Sequence, residues 1–406
     1  MGPAGFRERR SSTGWGEDRS SSQRGERGGE RNSESRRRED TYDTSHDRRV
    51  ERVPETLPYS SAASEFLYGH SSVLAALKAN RRKLYKLYIH NRGMNHEGRD
   101  AVVQHARAIR LPIQEVGDEY LRVLDRSSNG RPHNVSTTTR SLMPCNLLTV
   151  QGFILETSPL PVPPITSLQS SSVLSGTFEL TLDKQSKEDE AVNGTKTSYS
   201  YKSAGWRHPL VLYVDGVLDE GNLGAIARSA YFLGVDAIVT ATRQTAPWSH
   251  ITLKASAGAA EAIPIFQVSQ ATDFLGRSAR EGWRVYASDA IPPLEQRPHS
   301  VTMESEPSLA DFASSIIYTY AKHPKRLSAE HSPVASHPTI LMMGAEGTGL
   351  RSSLLNMAHY KVGIRHGRDV DEVGVDSLNV SVAASLLCHE MLQKPKPRRN
   401  AGELMF

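Results

Sequence analysis

Between residues 206 and 395, short apolar segments alternate with segments whose apolar residues recur at helical spacing. The predicted strands lie at 210–215, 237–239, 263–266, 284–287 and 339–343. The predicted helices lie at 224–233, 252–260, 271–280 and 379–392. Strands that alternate with helices indicate a parallel sheet covered on both faces, so we predict an α/β fold for this region.

A second, smaller unit precedes this region. Residues 72–77 and 101–109 have helical spacing, whereas 84–89 alternate between apolar and polar side chains as in a strand, and another strand opens at 111. We predict a small α/β domain at 65–157. The larger domain then spans 206–395.

The other segments lack periodicity. We predict a linker at 158–205, a surface insertion at 292–337 and tails at 1–64 and 396–406. Residues 1–52 contain 13 arginines and 11 acidic residues among serines and glycines. Such a composition cannot build a core, so we predict that this segment is disordered. Mitochondrial transit peptides are also rich in arginine and serine but poor in acids, so these residues alone leave a mitochondrial address open.

The composition excludes several classes of protein. Cys145 and Cys388 are the two cysteines, and neither belongs to a zinc-type cluster. We therefore expect no disulfide framework and no metal. No apolar stretch is long enough to span a bilayer, so we expect no membrane partner. The net charge of +4 does not by itself indicate an RNA-binding protein.

Three segments of the larger domain carry the residues that suggest chemistry. Segment one, 219–228, joins a strand to a helix, and Asn222 suits a helix cap there. Segment two, 343–350, places three glycines around Glu346. Segment three, 376–384, precedes the last helix. Each alone is compatible with a purely structural role: a capped helix with an exposed arginine, a tight turn, or a helix start.

Segment two is not a phosphate loop, because the Gly-Lys-Ser/Thr ending is missing, and its spacing does not fit the dinucleotide fingerprint. An acidic, glycine-rich turn could instead hold an adenosine-bearing cofactor through backbone contacts, since glycines allow a ligand to approach the backbone closely.

Together and in this order, the segments resemble the three motifs of the SpoU family of RNA ribose 2′-O-methyltransferases, in the SPOUT superfamily. The family patterns resemble Asp-x-x-Asn-x-Gly-x-x-x-Arg, Gly-x-Glu-Gly-x-Gly-Leu and Ser-Leu-Asn-Val-Ser-x-Ala. The matching positions are Asp219, Asn222, Gly224, Arg228, Gly344, Glu346, Gly347, Gly349, Leu350 and 377–383. A shorter family-like patch lies at 256–261, and 68–70 resemble part of the family's N-terminal substrate-binding domain.

The chain also departs from the family pattern. Glu220 stands where a proline is usual, Arg365 and His366 replace the common Pro-Met after Ile364, and the stretch 366–376 is longer than usual. With 376–379, these departures resemble the mitochondrial large-subunit rRNA branch of the family.

The resemblance implies S-adenosylmethionine as cofactor, rRNA as partner and transfer of a methyl group to a ribose 2′-hydroxyl, with a guanosine of mitochondrial large-subunit rRNA as the expected target. It implies a mitochondrial location, a homodimer and a sheet whose C-terminal part forms a trefoil knot. The implied catalytic residues are Arg228, Asn222, Glu346, Ser377 and Asn379. The implied cofactor-binding residues are Gly344, Gly349, Ile364, Leu378 and Val380.

Two other functions stay open from the residues. One is a non-catalytic RNA-binding protein of ribosome assembly on the same scaffold, which the loss of Arg228, Glu346 or Asn379 would have favoured. The other is a generic nucleotide-binding α/β enzyme. Equilibrium binding of S-adenosylmethionine separates both from a methyltransferase.

Residues 135–151 interrupt the resemblance. Joining Asn134 directly to Gly152 restores the family's Pro-His-x-Gly turn, and the interrupting residues can be encoded by splice-donor, branch-point and acceptor sequences. We predict a retained intron; a genuine surface loop is the alternative, since a turn tolerates an insertion at modest entropic cost. A native tryptic peptide containing Cys145 would refute the intron.

Overall fold

The N-terminal part of the chain forms a four-stranded sheet with two helices. The computed structural model describes residues 57–91, 96–117, 120, 123, 152–289, 315–323, 325–328, 330–367, 374–375 and 377–395. The elements of this part are β1 (Glu65–Tyr68), α1 (His70–Ala79), β2 (Leu84–His90), α2 (His96–Ala108), β3 (Ile113–Val116) and β4 (Phe153–Thr157). The strand order is β1-β4-β2-β3, with β4 antiparallel to both of its neighbours. The α/β unit predicted at 65–157 therefore contains both helices and a sheet.

Gly152 lies immediately before β4 and packs against β2. Its carbonyl accepts the backbone N–H of His90 at 2.8 Å. A Cβ at this position would collide with the Cβ of His90, so only glycine fits. The segment 135–151 lies outside the described residues, and its origin stays a prediction.

The predicted linker at 158–205 is wrong, because much of this segment forms a three-stranded antiparallel sheet. Its elements are β5 (Ile165–Ser172), β6 (Thr177–Leu182), α3 (Lys187–Asn193) and β7 (Ser198–Ser200). Leu168 and Phe178 are fully buried, whereas Ser170, Ser172 and Thr181 are exposed. The indole N–H of Trp283 donates to the carbonyl of Gln169 at 2.7 Å, which ties this sheet to the larger domain. Serine and threonine content suggested a linker, but threonine is a strand former and the apolar residues alternate.

The larger domain is built on a seven-stranded sheet. Its first half comprises β8 (Leu210–Val214), α4 (Glu220–Leu233), β9 (Ala237–Ala241), α5 (His250–Ala255), α6 (Ala259–Ala262), β10 (Ile265–Val268), α7 (Ala271–Arg280) and β11 (Arg284–Ser288). Its second half comprises β12 (Ile316–Tyr320), α8 (Pro333–Ser336), β13 (Thr339–Met343), α9 (Ser352–Leu355), β14 (Tyr360–Ile364) and α10 (Val380–Met391). The predicted α/β fold is confirmed; the helix predicted at 252–260 is two short helices.

The strand order is β10-β9-β8-β13-β11-β14-β12, and all neighbours are parallel except the edge strand β12. Alternate residues of β8 enter two different cores: Leu212 packs on the side of α4 and α10, and Tyr213 packs on the side of α7. A sheet covered on both faces requires such continuous apolar strands.

The predicted surface insertion at 292–337 is also wrong in part. Residues 290–314 lie outside the described residues, but 316–320 form the edge strand β12, whose residues Ile316, Ile317 and Tyr318 are buried. Val334 of α8 is fully buried, and its carbonyl accepts the N–H of His208 at 2.7 Å. The proline and histidine content hid these packed residues from a pattern-based prediction.

Candidate active site at the carboxyl edge of the sheet

Segments one and two leave the sheet from adjacent strands. Segment one follows β8 and segment two follows β13, which pair in parallel from Leu210↔Thr339 to Val214↔Met343. The strand order reverses at this pair, because β9 and β10 extend to one side of β8 whereas β13, β11 and β14 lie on the other. In open α/β sheets, ligands bind outside the carboxyl ends of the strands at such a reversal.

The start of α4 places Asn222 beside this reversal. The carboxylate of Asp219 accepts the backbone N–H of Asn222 at 2.6 Å and so caps the helix, which begins at Glu220. The prediction that Asn222 is the cap is therefore wrong. Because Asp219 satisfies the helix end, the amide side chain of Asn222 is available for other partners.

Segment two folds into a tight turn after β13. The N–H of Ala345 donates to the carbonyl of Gly349 at 3.1 Å, and the N–H of Gly349 donates back at 2.9 Å. Gly344 is buried, and a Cβ there would collide with the backbone of Gly349 and Leu350. The turn thus requires glycine at 344 for its own closure, and it presents Glu346 to solvent.

Three side chains from the three segments meet above the sheet. The amide nitrogen Nδ2 of Asn222 donates to Oε2 of Glu346 at 3.3 Å. Nδ2 of Asn379 donates to Oδ1 of Asn222 at 3.0 Å and lies 3.4 Å from Oε1 of Glu346. These residues are separated by up to 157 positions in sequence. We call this group the amide–carboxylate network.

Asn379 has a second role as the cap of α10. Its Oδ1 accepts the backbone N–H of Ser381 at 2.9 Å and the Ser381 hydroxyl at 2.6 Å. The cap fixes the amide of Asn379 so that Nδ2 points to the network. Ser377 lies exposed two residues before it.

Arg228 lies apart from the network. It is exposed on α4, six residues after Asn222, which is about 9 Å along the axis and about 120° around the helix. Among the described residues, no hydrogen bond or ion pair reaches its guanidinium. Its planar fork of donors can bind an anionic group such as a phosphate.

The residues expected to bind the cofactor lie around the same edge. Gly344 and Gly349 belong to the turn, Ile364 ends β14 and is partly exposed, and Leu378 is 47% exposed beside Asn379. Val380 is different, because its side chain is buried in the core as the first residue of α10. At Val380 only the backbone is left to contact a ligand.

Sequence reasoning missed an ion pair beneath the turn. Asp215, which follows β8 and is 3% exposed, accepts Nε of Arg351 at 3.0 Å and Nη2 at 3.1 Å. This two-point bond ties the end of the turn to the end of β8. Burial raises the pKa of Tyr213, and the negative charge of Asp215, 3.5 Å from the Tyr213 hydroxyl, raises it further. A carboxylate directly after a buried strand was the available signal.

Two other features of the described residues bear on function. No helix in this part of the chain has the length and apolar character to cross a membrane. Within the same residues, no group of three or more histidines, cysteines and acids is placed to hold a metal ion.

Comparisons with known proteins give a family match, curated relatives and a similar solved structure. Residues 209–389 match the model of the SpoU rRNA Methylase family. The rRNA methyltransferase 1, mitochondrial, of Schizosaccharomyces pombe is 31% identical over 329 residues, which cover 81% of this chain and 90% of that protein. The Homo sapiens protein of the same description is 27% identical, covering 84% of this chain and 75% of that protein. A solved AdoMet-bound rRNA methyltransferase from Sinorhizobium meliloti is 18% identical with a TM-score of 0.47, covering 81% of this chain and 87% of that chain.

Proposed function

The chain belongs to the SpoU rRNA methylase family, and from this premise we propose that it transfers a methyl group from S-adenosylmethionine to a ribose 2′-hydroxyl of rRNA. The observation that carries the proposal is the amide–carboxylate network, because it unites Asn222, Glu346 and Asn379 at the reversal point of the sheet. A purely structural use of the three segments would leave no reason for their polar side chains to converge in an exposed position.

The carboxyl edge suits the proposed cofactor. Leu378 and Ile364 offer partly exposed apolar surface for an adenine ring, and the backbone of the turn at 344–349 offers polar groups. A Cβ at Gly349 would meet nothing within 4 Å, so the turn leaves open space on that side. When bound here, S-adenosylmethionine would supply an electrophilic methyl group with a neutral leaving group.

The residues of the chain then have to place and activate the hydroxyl. In-line placement of the 2′-oxygen against the methyl carbon can supply several kcal/mol. Asn222 and Glu346 would orient the ribose, and Ser377 and Asn379 would order the loop that faces the cofactor. In this transfer the oxygen–methyl bond would form as the methyl group leaves the cofactor's sulfur, and the hydroxyl proton would pass to water.

We assign to Arg228 the stabilisation of negative charge on the reacting oxygen and of the neighbouring phosphate. A guanidinium is effectively always protonated in proteins, which argues against a role as general base. Its planar fork suits a two-point contact with a phosphate. Arg228 is exposed and has no partner among the described residues, which supports a role in binding RNA.

We also propose a homodimer. Tyr231 and Phe232 on α4 are 54% and 84% exposed, and Val382 and Leu386 on α10 are 46% and 43% exposed. Helices α4 and α10 pack against each other, so these apolar side chains belong to neighbouring elements. A second copy of the chain would cover them. Residues 228, 231 and 232 lie at i, i+3 and i+4, so Arg228 borders this surface. The trefoil knot implied by the family stays a prediction.

The names of the relatives support the proposed location, and the motif resemblance suggests the target. Several are described as mitochondrial rRNA methyltransferases, which supports a mitochondrial location and rRNA as the substrate. We propose the large-subunit rRNA and a guanosine target from the resemblance of residues 376–379 to the large-subunit branch of the family.

One experiment tests reaction, position and partner together. The purified protein is incubated with labelled S-adenosylmethionine and mitochondrial large-subunit rRNA. Oligonucleotide fragments locate the label, and the nucleosides of the labelled fragment are separated by chromatography and fragmented in a mass spectrometer, which shows whether the methyl group is on the ribose or on the base. We expect 2′-O-methylguanosine at a single position. Label on a base would contradict the ribose assignment. Binding of rRNA without binding of S-adenosylmethionine would indicate a non-catalytic assembly protein instead.

A further inference from the structure

The patch at 256–261, singled out in the sequence, takes no part in the candidate active site. It forms the turn between α5 and α6 and the first residues of α6. We call residues 256–261 the docking turn, because it lies against α1 of the N-terminal domain. Gly258 has φ +90°, and a Cβ there would lie 2.5 Å from the Cβ of Ala75 and 2.7 Å from the carbonyl oxygen of Ser71. Glycine is therefore required both for the turn and for the close approach of α1.

A buried ion pair joins the two domains at the same place. Arg82, between α1 and β2, is 5% exposed, and Glu261 of the docking turn is 1% exposed. Nε of Arg82 donates to Oε2 of Glu261 at 2.9 Å, and Nη2 donates to Oε1 at 2.6 Å. These two parallel hydrogen bonds add geometric specificity to the attraction between the charges.

The neighbouring groups complete the joint. Nη1 of Arg82 donates to the hydroxyl of Thr157 at 3.3 Å and to the carbonyl of Ser158 at 3.2 Å, where the N-terminal domain ends. Arg81 donates to the carbonyl of Ile263 at 2.7 Å, just after α6. One arginine thus binds the end of one domain and a turn of the other, and its neighbour binds the chain that follows that turn.

Stability alone is a poor reason for such a joint. Removing two charges from water costs energy that their attraction offsets only when the geometry is excellent, and apolar side chains of similar size often stabilise a protein as well or better. A two-point ion pair differs from apolar packing in fixing the angle between its partners. We propose that Arg82 and Glu261 are positioning residues that hold the N-terminal domain at one orientation, so that RNA bound by that domain meets the amide–carboxylate network. The second half of this inference rests on the proposed function.

The test compares a broken pair with an apolar pair. Glu261→Gln removes the charge of one partner, Arg82→Met/Glu261→Met replaces both partners by apolar side chains, and Glu281→Gln is the matched control at an exposed position of the same domain. We expect both Glu261 variants to raise the KM for rRNA about tenfold with little change in kcat, because a uniform binding contribution is lost. The affinity for S-adenosylmethionine and the control variant should match the unaltered protein.

The apolar double variant decides between positioning and stability. It should unfold at the same temperature as the unaltered protein or higher, yet keep the raised KM. A double variant that recovers both the stability and the low KM would overturn the proposal, because the pair would then be only a structural contact.

A second readout does not depend on activity. Spin labels are attached through Lys78→Cys on α1 and Ser269→Cys after β10, both exposed positions, in a chain with Cys145→Ser. The distance distribution between the labels should be narrow in the otherwise unaltered protein and broad in the double variant. A narrow distribution in both would refute the orienting role even if no methyl transfer were found, whereas absence of methyl transfer alone would refute the proposed function.

Discussion

Two glutamates each accept two side-chain hydrogen bonds, but they do so in opposite surroundings. Glu346 in the amide–carboxylate network is exposed and meets neutral amides, whereas Glu261 in the docking turn is 1% exposed and meets a guanidinium. The exposed carboxylate shares its partners with water and can exchange them for a substrate. The carboxylate of Glu261 cannot exchange its partner, because separation of the pair would leave Glu261 and Arg82 as buried, unpaired charges. Glutamate thus belongs to a candidate reactive surface at position 346 and to a fixed contact between two domains at position 261.

The electrostatics follow the same division. Burial raises the pKa of Glu261 above its ordinary value, and the charge of Arg82 opposes this effect. Between Asn222 and Asn379, Glu346 has two amide nitrogens at 3.3 Å and 3.4 Å, which are long hydrogen bonds. Loose, exposed bonds of this kind contribute little to stability and are easily replaced by a ligand.

The largest expected effect tests this division directly. Glu261→Ala should lower the free energy of unfolding by about 3–5 kcal/mol, because Arg82 is left as an uncompensated buried charge. Glu346→Ala should change it by no more than about 0.5 kcal/mol but should reduce methyl transfer. Urea unfolding of both variants, with turnover measured in parallel, checks the pair. Equal losses of stability would break the comparison.

The next effect concerns catalysis without a change in stability. Arg228→Ala should reduce turnover by about 10²–10³-fold, as expected when one donor to a developing anion is lost. The affinity for S-adenosylmethionine should stay nearly unchanged, because Arg228 lies on α4 away from the turn. Arg228→Lys should not restore turnover, since an ammonium lacks the planar fork. A cofactor affinity that falls as far as the turnover would contradict the assignment.

A smaller effect is expected in the turn itself. Gly344→Val should destabilise the protein by about 1–3 kcal/mol through overpacking and should abolish binding of S-adenosylmethionine. The reason is that the new side chain collides with the backbone of Gly349 and Leu350 and opens the turn. Titration calorimetry checks the binding, with Gly276→Val as a control on α7, where a new Cβ would lie 3.3 Å from the flexible end of Met357. Unchanged binding by Gly344→Val would show that the turn does not hold the cofactor.

The smallest effect is expected in the pH dependence of stability, at the partly buried His337. Burial, with nearby positive groups second, lowers the pKa of His337 to about 4. The unfolded chain therefore binds a proton near pH 6.5 that the folded chain takes up only near pH 4. His337 contributes stability that is fully present above about pH 6.5 and is lost as the pH falls towards 4. His337→Gln should flatten the decline of the unfolding free energy between pH 7 and 5, measured by urea unfolding at each pH.

The sequence by itself determined the architecture of the larger domain and the membership of the candidate site. Continuous apolar strands such as 210–214 can be buried only in a sheet covered on both faces, so their alternation with helices predicts the α/β fold. The positions of Asn222, Glu346 and Asn379 followed from motif order. Sequence patterns failed at β5, β6 and β12. Strands β5 and β6 bury only three of eight and two of six residues, among serines and threonines, and β12 lies in a longer segment rich in proline, histidine and serine. Both segments therefore resemble linkers in composition.

Only the tertiary structure decided which polar residues meet. Asp219 rather than Asn222 caps α4, Asp215 pairs with Arg351, and Arg82 pairs with Glu261 across 179 positions of sequence. No sequence periodicity predicts such pairs, because the sequence does not show whether a charged side chain is solvated by water or bound to a partner. The physical difference is desolvation. The fold removes water from Arg82 and Glu261 and leaves it at Glu346, and only a carboxylate without water must keep a fixed protein partner.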